Sequence, residues 1–128
     1  MGYRSDIYIK VRTDKYPPLA KILQEHDFKD CIDHFSIEDG VVTIIMQDLK
    51  WYDSYKDVSA VNDYIRSLEE AEGCLLRNGE DGLDIEEINN GSELDLYYHT
   101  ETIVDGDFGT PIDVKGIPTT ETHPELFI

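Results

Sequence analysis

The sequence predicts an α+β domain of ferredoxin-like order, β-α-β-β-α-β. In that arrangement two helices lie on one face of an antiparallel sheet, here followed by an extra C-terminal acidic hairpin and an extended tail. Three observations carry this expectation: a cleanly alternating strand near the N-terminus, two apolar stripes of helical period, and two turn dipeptides of the kind that close hairpins. A chain of 128 residues fits one domain, and 40% hydrophobic residues suffice for a core despite a formal charge of −17. Residues 1–104 are expected to form the domain and residues 105–128 the tail.

In Asp6–Arg12, Ile7, Ile9 and Val11 alternate with Tyr8, Lys10 and Arg12, the pattern of a half-buried strand. Pro17-Pro18 opens a first helix, where a missing N–H costs nothing, and Leu19, Ile22, Leu23 and His26 form its stripe. Asp39-Gly40 suits a type I′ turn and sets Phe35 opposite Ile44 and Ile37 opposite Val42. The other face of that hairpin carries His34, Ser36, Val41, Thr43 and Ile45, a semi-apolar mixture. Asp57 is expected to cap a second helix with Val58, Val61, Ile65 and Leu68 buried, ended by Gly73 after Glu69, Glu70 and Glu72. Cys74-Leu75-Leu76 reads as a short buried strand. Leu83–Ile88 and Glu93–His99 read as a second hairpin around Asn90-Gly91. Beyond Val104 the periodicity stops, and Phe108, Ile112, Val114 and Leu126-Phe127-Ile128 are candidates for docking the tail.

The charge is unevenly placed. Residues 1–64 hold 8 basic and 12 acidic groups, residues 65–128 hold 3 and 16, and residues 78–114 hold 11 carboxylates and no Lys or Arg. Such a field repels nucleic acid and anionic membranes and attracts a cationic partner. The expected register of the second hairpin sets Glu86 opposite Asp95, with Asp84 and Glu93 beside them. Like charges directly opposite destabilise a sheet, so this lattice reads as a decoy for a basic, nucleic-acid-binding groove or as protection against edge pairing. Glu80, Asp81 and Glu87 add to the field, and Tyr97, opposite Asp84 in this register, is the candidate contact.

Other chemistries find less support. Cys31-x-x-His34 is one half of a zinc spacing, with Cys74 and His99 too scattered to complete it, and Cys74 reads as a small core residue. The acids lack calcium-loop spacing. No nucleophile elbow, phosphate loop or catalytic triad is visible, so neither an enzyme nor a cofactor is expected. The two cysteines are expected as reduced thiols in a cytoplasmic protein, since the N-terminus runs straight into a strand and no apolar run could span a bilayer.

Met1-Gly2-Tyr3-Arg4-Ser5-Asp6 leading into a strand, Lys50-Trp51-Tyr52-Asp53-Ser54-Tyr55, Asp57-Val58 and Arg77-Asn78-Gly79-Glu80-Asp81 together resemble a group of small acidic bacteriophage and prophage proteins. The resemblance spans residues 1–100. It implies a viral origin and an accessory role in the cytoplasm of the host, and brings no catalytic residues. The expectation is thus an accessory protein that inhibits a host protein through its acidic surface. The alternatives are a homodimer or larger assembly through Val41, Thr43 and Ile45, and a divalent-ion-binding domain.

Overall fold

A computed structural model describes residues 3–80, 84–100, 103–114 and 116–127. Asp81, Leu83, Ile128 and the side chain of His99, named above, lie outside them. The alternating segment forms β1 (Ser5–Arg12), with Ile7, Ile9 and Val11 fully buried on one face. After a single 3-10 turn, Pro17 and Pro18 stand in the first turn of α1 (Tyr16–Glu25), which buries Leu19 and Leu23. β2 (His34–Glu38) and β3 (Val41–Leu49) pair in the expected register, and both Asp39 (φ 54°) and Gly40 (φ 76°) take the left-handed conformation of a type I′ turn.

α2 (Lys56–Arg66) buries Val58, Val61 and Ile65 as expected, and its termini differ from the expectation. Tyr55 is the N-cap. Asp57 lies within the first turn, where its carboxylate accepts from the Val58 N–H (2.8 Å) and complements the helix dipole. The helix stops at Arg66, so Glu69, Glu70 and Glu72 occupy a following turn instead of crowding its negative end. There Glu72 pairs with Lys15 (3.2 Å), and Arg12 donates to the Ala71 carbonyl (3.0 Å). Gly73 opens β4 (Gly73–Gly79) rather than ending the helix. Asn62, fully buried on α2, accepts from the Trp51 indole (3.3 Å) and donates to Asp53 (2.7 Å). This bond set seats the strand-to-helix turn, where Trp51 packs on Phe28.

β5 (Ile85–Ile88) pairs with β4, completing a five-stranded antiparallel sheet in the order β2-β3-β1-β4-β5. The α+β class and the antiparallel sheet are as expected, whereas the strand order carries a fifth member. The expected hairpin of Leu83–Ile88 with Glu93–His99 does not form. Pairing β5 on β4 sets Glu86 opposite Arg77 instead of Asp95, which exchanges a repulsion for an attraction. Asn90-Gly91 is not a hairpin turn either. The Asn90 side chain accepts from the Ser92 N–H (2.8 Å) and starts a 3-10 turn, Gly91–Leu94. A Cβ at Gly91 would fall 1.9 Å from the Leu96 carbonyl oxygen, so glycine serves a close chain approach there. Asn89 donates to the carbonyls of Ile65 (2.9 Å), Leu68 (3.0 Å) and Gly73 (2.9 Å), tying the connection to the end of α2.

These turns send the chain across the sheet face opposite the helices. β6 (Leu96–Thr100) pairs there with β7 (Ile103–Gly106), and Leu94 and Leu96 pack on Cys74 and Leu76 as a second apolar cluster. Lys10 anchors this layer. It is only 3% exposed, and its ammonium donates to the carbonyl oxygens of Leu94 (2.9 Å), Asp95 (3.2 Å) and Asp107.

The segment after β7 continues around the molecule. Phe108 stacks on Tyr8, and its carbonyl accepts from Ser36 (2.5 Å). The Ile112 N–H donates to the Phe35 carbonyl (2.8 Å) on β2, the last strand of the sheet. Ile117 enters the helix-side core, and the Tyr16 hydroxyl donates to the Pro118 carbonyl (2.5 Å) while its ring stacks on Phe127. The expected tail thus bridges both faces and covers an edge that would otherwise invite pairing.

Lys10→Met should cost about 2–4 kcal/mol by leaving buried carbonyls unpaired. Chemical denaturation reads this, and amide exchange should quicken most over residues 91–108. Ile117→Ala should cost about 2–4 kcal/mol in the same denaturation assay, as for a core residue.

Candidate binding cleft

On the face away from the helices, register places Ser36, Thr43, Lys10 and Cys74 in one row across β2, β3, β1 and β4. The layer laid over this row does not cover all of it. Between the β2–β3 turn and the Gly91–Asp95 segment a cleft of about 200 Å³ remains, with Lys10 and Thr43 in its lining. Three separate stretches bring carboxylates to it: Glu38 and Asp39 from the turn, Glu93 and Asp95 from the second layer, and Asp107 from beyond β7. Glu38 accepts from the Thr110 N–H (2.7 Å), and Asp107 accepts from the Gly109 N–H (3.1 Å), so both are held in place. Asp39 (φ 54°) and Asp95 (φ 57°) occupy left-handed backbone, a conformation that Asp tolerates better than most residues.

Burial pulls the Lys10 ammonium below the ordinary lysine value, while Asp95, Asp107 and Cys74 act to raise it. Beside it, burial pushes the Cys74 thiol up to about 12, as for an inert core thiol. The Cys31 thiol is also raised, first by burial and then by Asp30, Asp33, Asp27 and Asp57.

The eight residues singled out in the sequence fall at separate places. Glu93 and Asp95 line the cleft. Asp84 and Glu86 meet Arg77, whose side chain is 12% exposed, at 2.7 and 3.6 Å, so their charge is partly neutralised within the fold. Glu87 is exposed and lies opposite Leu76 on the outer strand. Glu80 accepts from the Arg4 N–H (3.1 Å) and lines a different cleft, of about 220 Å³, with Arg4, Asp6 and Asp48. Asp81 lies outside the described residues. Tyr97 is 44% exposed and faces Asp105 across β6–β7, not Asp84. The four carboxylates therefore form no lattice: Glu86 lies on β5 with Asp84 just before it, whereas Glu93 and Asp95 lie on the 3-10 turn and at its end, and neither is on a strand.

Thr43, expected on a face open to a second copy, is 3% exposed, enclosed by its own chain, while Val41 and Ile45 keep partial exposure. Glu38, Asp39, Asp107 and Lys10 were not among the expected site residues, and Thr43 was expected only as a contact to a second copy. A polar row, Lys10 between Ile9 and Val11 and Thr43 between Val42 and Ile44, was the signal that something must cover this face. Among the described residues no three His, Cys, Asp or Glu side chains are grouped to hold a metal ion, and no helix is long and apolar enough to cross a membrane.

Comparison with protein-family models, curated proteins and solved structures finds no match.

The Arg77 contact makes an acid-side prediction. Its hydrogen bond holds the Asp84 carboxyl below the usual range against a desolvation that opposes it, with further help from the Arg77 charge and Tyr3. A depressed folded-state pKa stabilises fully above the unfolded value, about 3.9, and is lost as pH falls through the folded value. Denaturation of the native chain and Asp84→Asn should therefore differ at neutral pH, with the native chain more stable, and converge as pH falls below about 4.

Proposed function

We propose that this chain is a phage-type accessory protein that binds a host protein through its acidic surface and blocks it by occupation, without chemistry of its own. The observation that carries the reading is the convergence of five carboxylates from three separate stretches on one cleft. Acids that serve only solubility need no common site, and their mutual repulsion disfavours one. The target would present a basic surface of the kind that lines a nucleic-acid groove, and the encounter would take place in the host cytoplasm. Tyr97 and Tyr98, each 44% exposed on β6, add aromatic contacts of the kind that interfaces favour. The same reading takes the first six elements as a ferredoxin-like plait to which β5 and a covering layer have been added.

The test uses the intact chain as bait in bacterial lysate. A basic protein should be retained at low salt, released as salt rises, and displaced by duplex DNA. The variant Glu38→Gln/Asp39→Asn/Glu93→Gln/Asp95→Asn/Asp107→Asn keeps the local hydrogen-bond acceptors and the left-handed backbone, and should fold yet lose retention. Asp84→Asn/Glu86→Gln should retain the target. Capture that ignores both salt and the cleft variant would sink the proposal.

A further inference from the structure

The geometry points to a specific occupant of the cleft: we infer that it receives a single arginine side chain from the partner protein. This rests on the binding reading above and gives it a chemistry. The independent observation is Thr43. Its side chain is buried, lines the cleft, and its hydroxyl makes no hydrogen bond among the described residues. Both neighbours in its row are engaged elsewhere. Ser36 donates to the Phe108 carbonyl, and the three protons of Lys10 go to the carbonyls of Leu94, Asp95 and Asp107. The hydroxyl itself is not sealed off but opens to the cleft, so it stands ready to accept from a donor that enters there.

The charge of that group follows from the lining. Five carboxylates face two cations, Lys10 and Arg12, and Arg12 is turned outward to the Ala71 carbonyl. Asp39, Glu93 and Asp95 make no side-chain hydrogen bond among the described residues, so acceptors are in excess and donors are wanted. Volume sets the size. About 200 Å³ lies below the roughly 300–1,000 Å³ of sites for drug-sized ligands, and suits one extended side chain. A guanidinium matches this lining better than an ammonium does. It offers five donors in a rigid plane, reaches carboxylates and a hydroxyl together, and sheds water more readily.

The test is an amide NMR titration of the intact chain, at physiological salt, with N-acetyl-arginine amide and separately with N-acetyl-lysine amide. Arginine amide should shift residues 36–43, 93–95 and 107–109 and saturate at several-fold lower concentration than lysine amide. Thr43→Val keeps the shape and removes only the hydroxyl, so folding stability should hold while arginine affinity falls about tenfold. Shifts scattered over the whole acidic surface, equal response to both amides, or native affinity in Thr43→Val would each overturn the inference. Salt-sensitive capture of a lysate protein without cleft-specific arginine binding overturns this inference alone. Cleft-specific arginine binding without any such capture supports it and overturns the broader function.

Discussion

Lys10 is the point on which the second half of the molecule is hung. An ammonium buried in the middle of a sheet is costly unless every proton finds an acceptor. The three acceptors here are main-chain carbonyls, which side-chain substitution at Leu94, Asp95 or Asp107 would leave in place. The path of the backbone over the sheet is therefore tied to one side chain. The turn at Gly91–Leu94, the β6–β7 ribbon and the start of the wrapping segment all lie within reach of it. The cleft is the part of the polar row that this arrangement leaves uncovered.

The acidity of the chain then divides into two populations with different physical roles. Asp84, Glu86 and Glu72 face Arg77 or Lys15, where they serve the fold. Glu38, Asp39, Glu93, Asp95 and Asp107 surround a cleft whose cations are already committed, and their field is left for something else. A net charge gives no hint of this division. It arises where β5 pairs with β4, which sets Glu86 opposite Arg77 and brings Asp84 to the same guanidinium.

The first half of the fold was legible because its signals are local. Alternation in β1, the Asp39-Gly40 turn and the stripes of both helices each depend on residues within one or two turns of chain. The failure came at Asn89-Asn90-Gly91, where short-range turn chemistry competed with long-range bonds. Asn89 reaches α2 and Asn90 folds onto Ser92, and neither preference can be read without knowing that the end of α2 lies nearby. The site was half legible for the same reason. Glu93 and Asp95 stood out by charge density, whereas Glu38 and Asp39 were absorbed into a convincing hairpin turn and Thr43 into a strand.

The segment that passes from Phe108 around β2 to Ile117 has a consequence for how the protein is made. Lys10 waits for a carbonyl 97 residues downstream, and Tyr16 for one 102 residues downstream. Contacts of such separation form slowly, because closing the intervening loop comes before any gain. During synthesis the sheet and its helices can assemble first, with the polar row still wet and the β2 edge still open. Only when Asp107, Phe108 and Ile112 have emerged can the layer pack over the row and the β2 edge close. The acidic cleft needs Asp107 in place, so a nascent chain that has not yet delivered Asp107 does not present it.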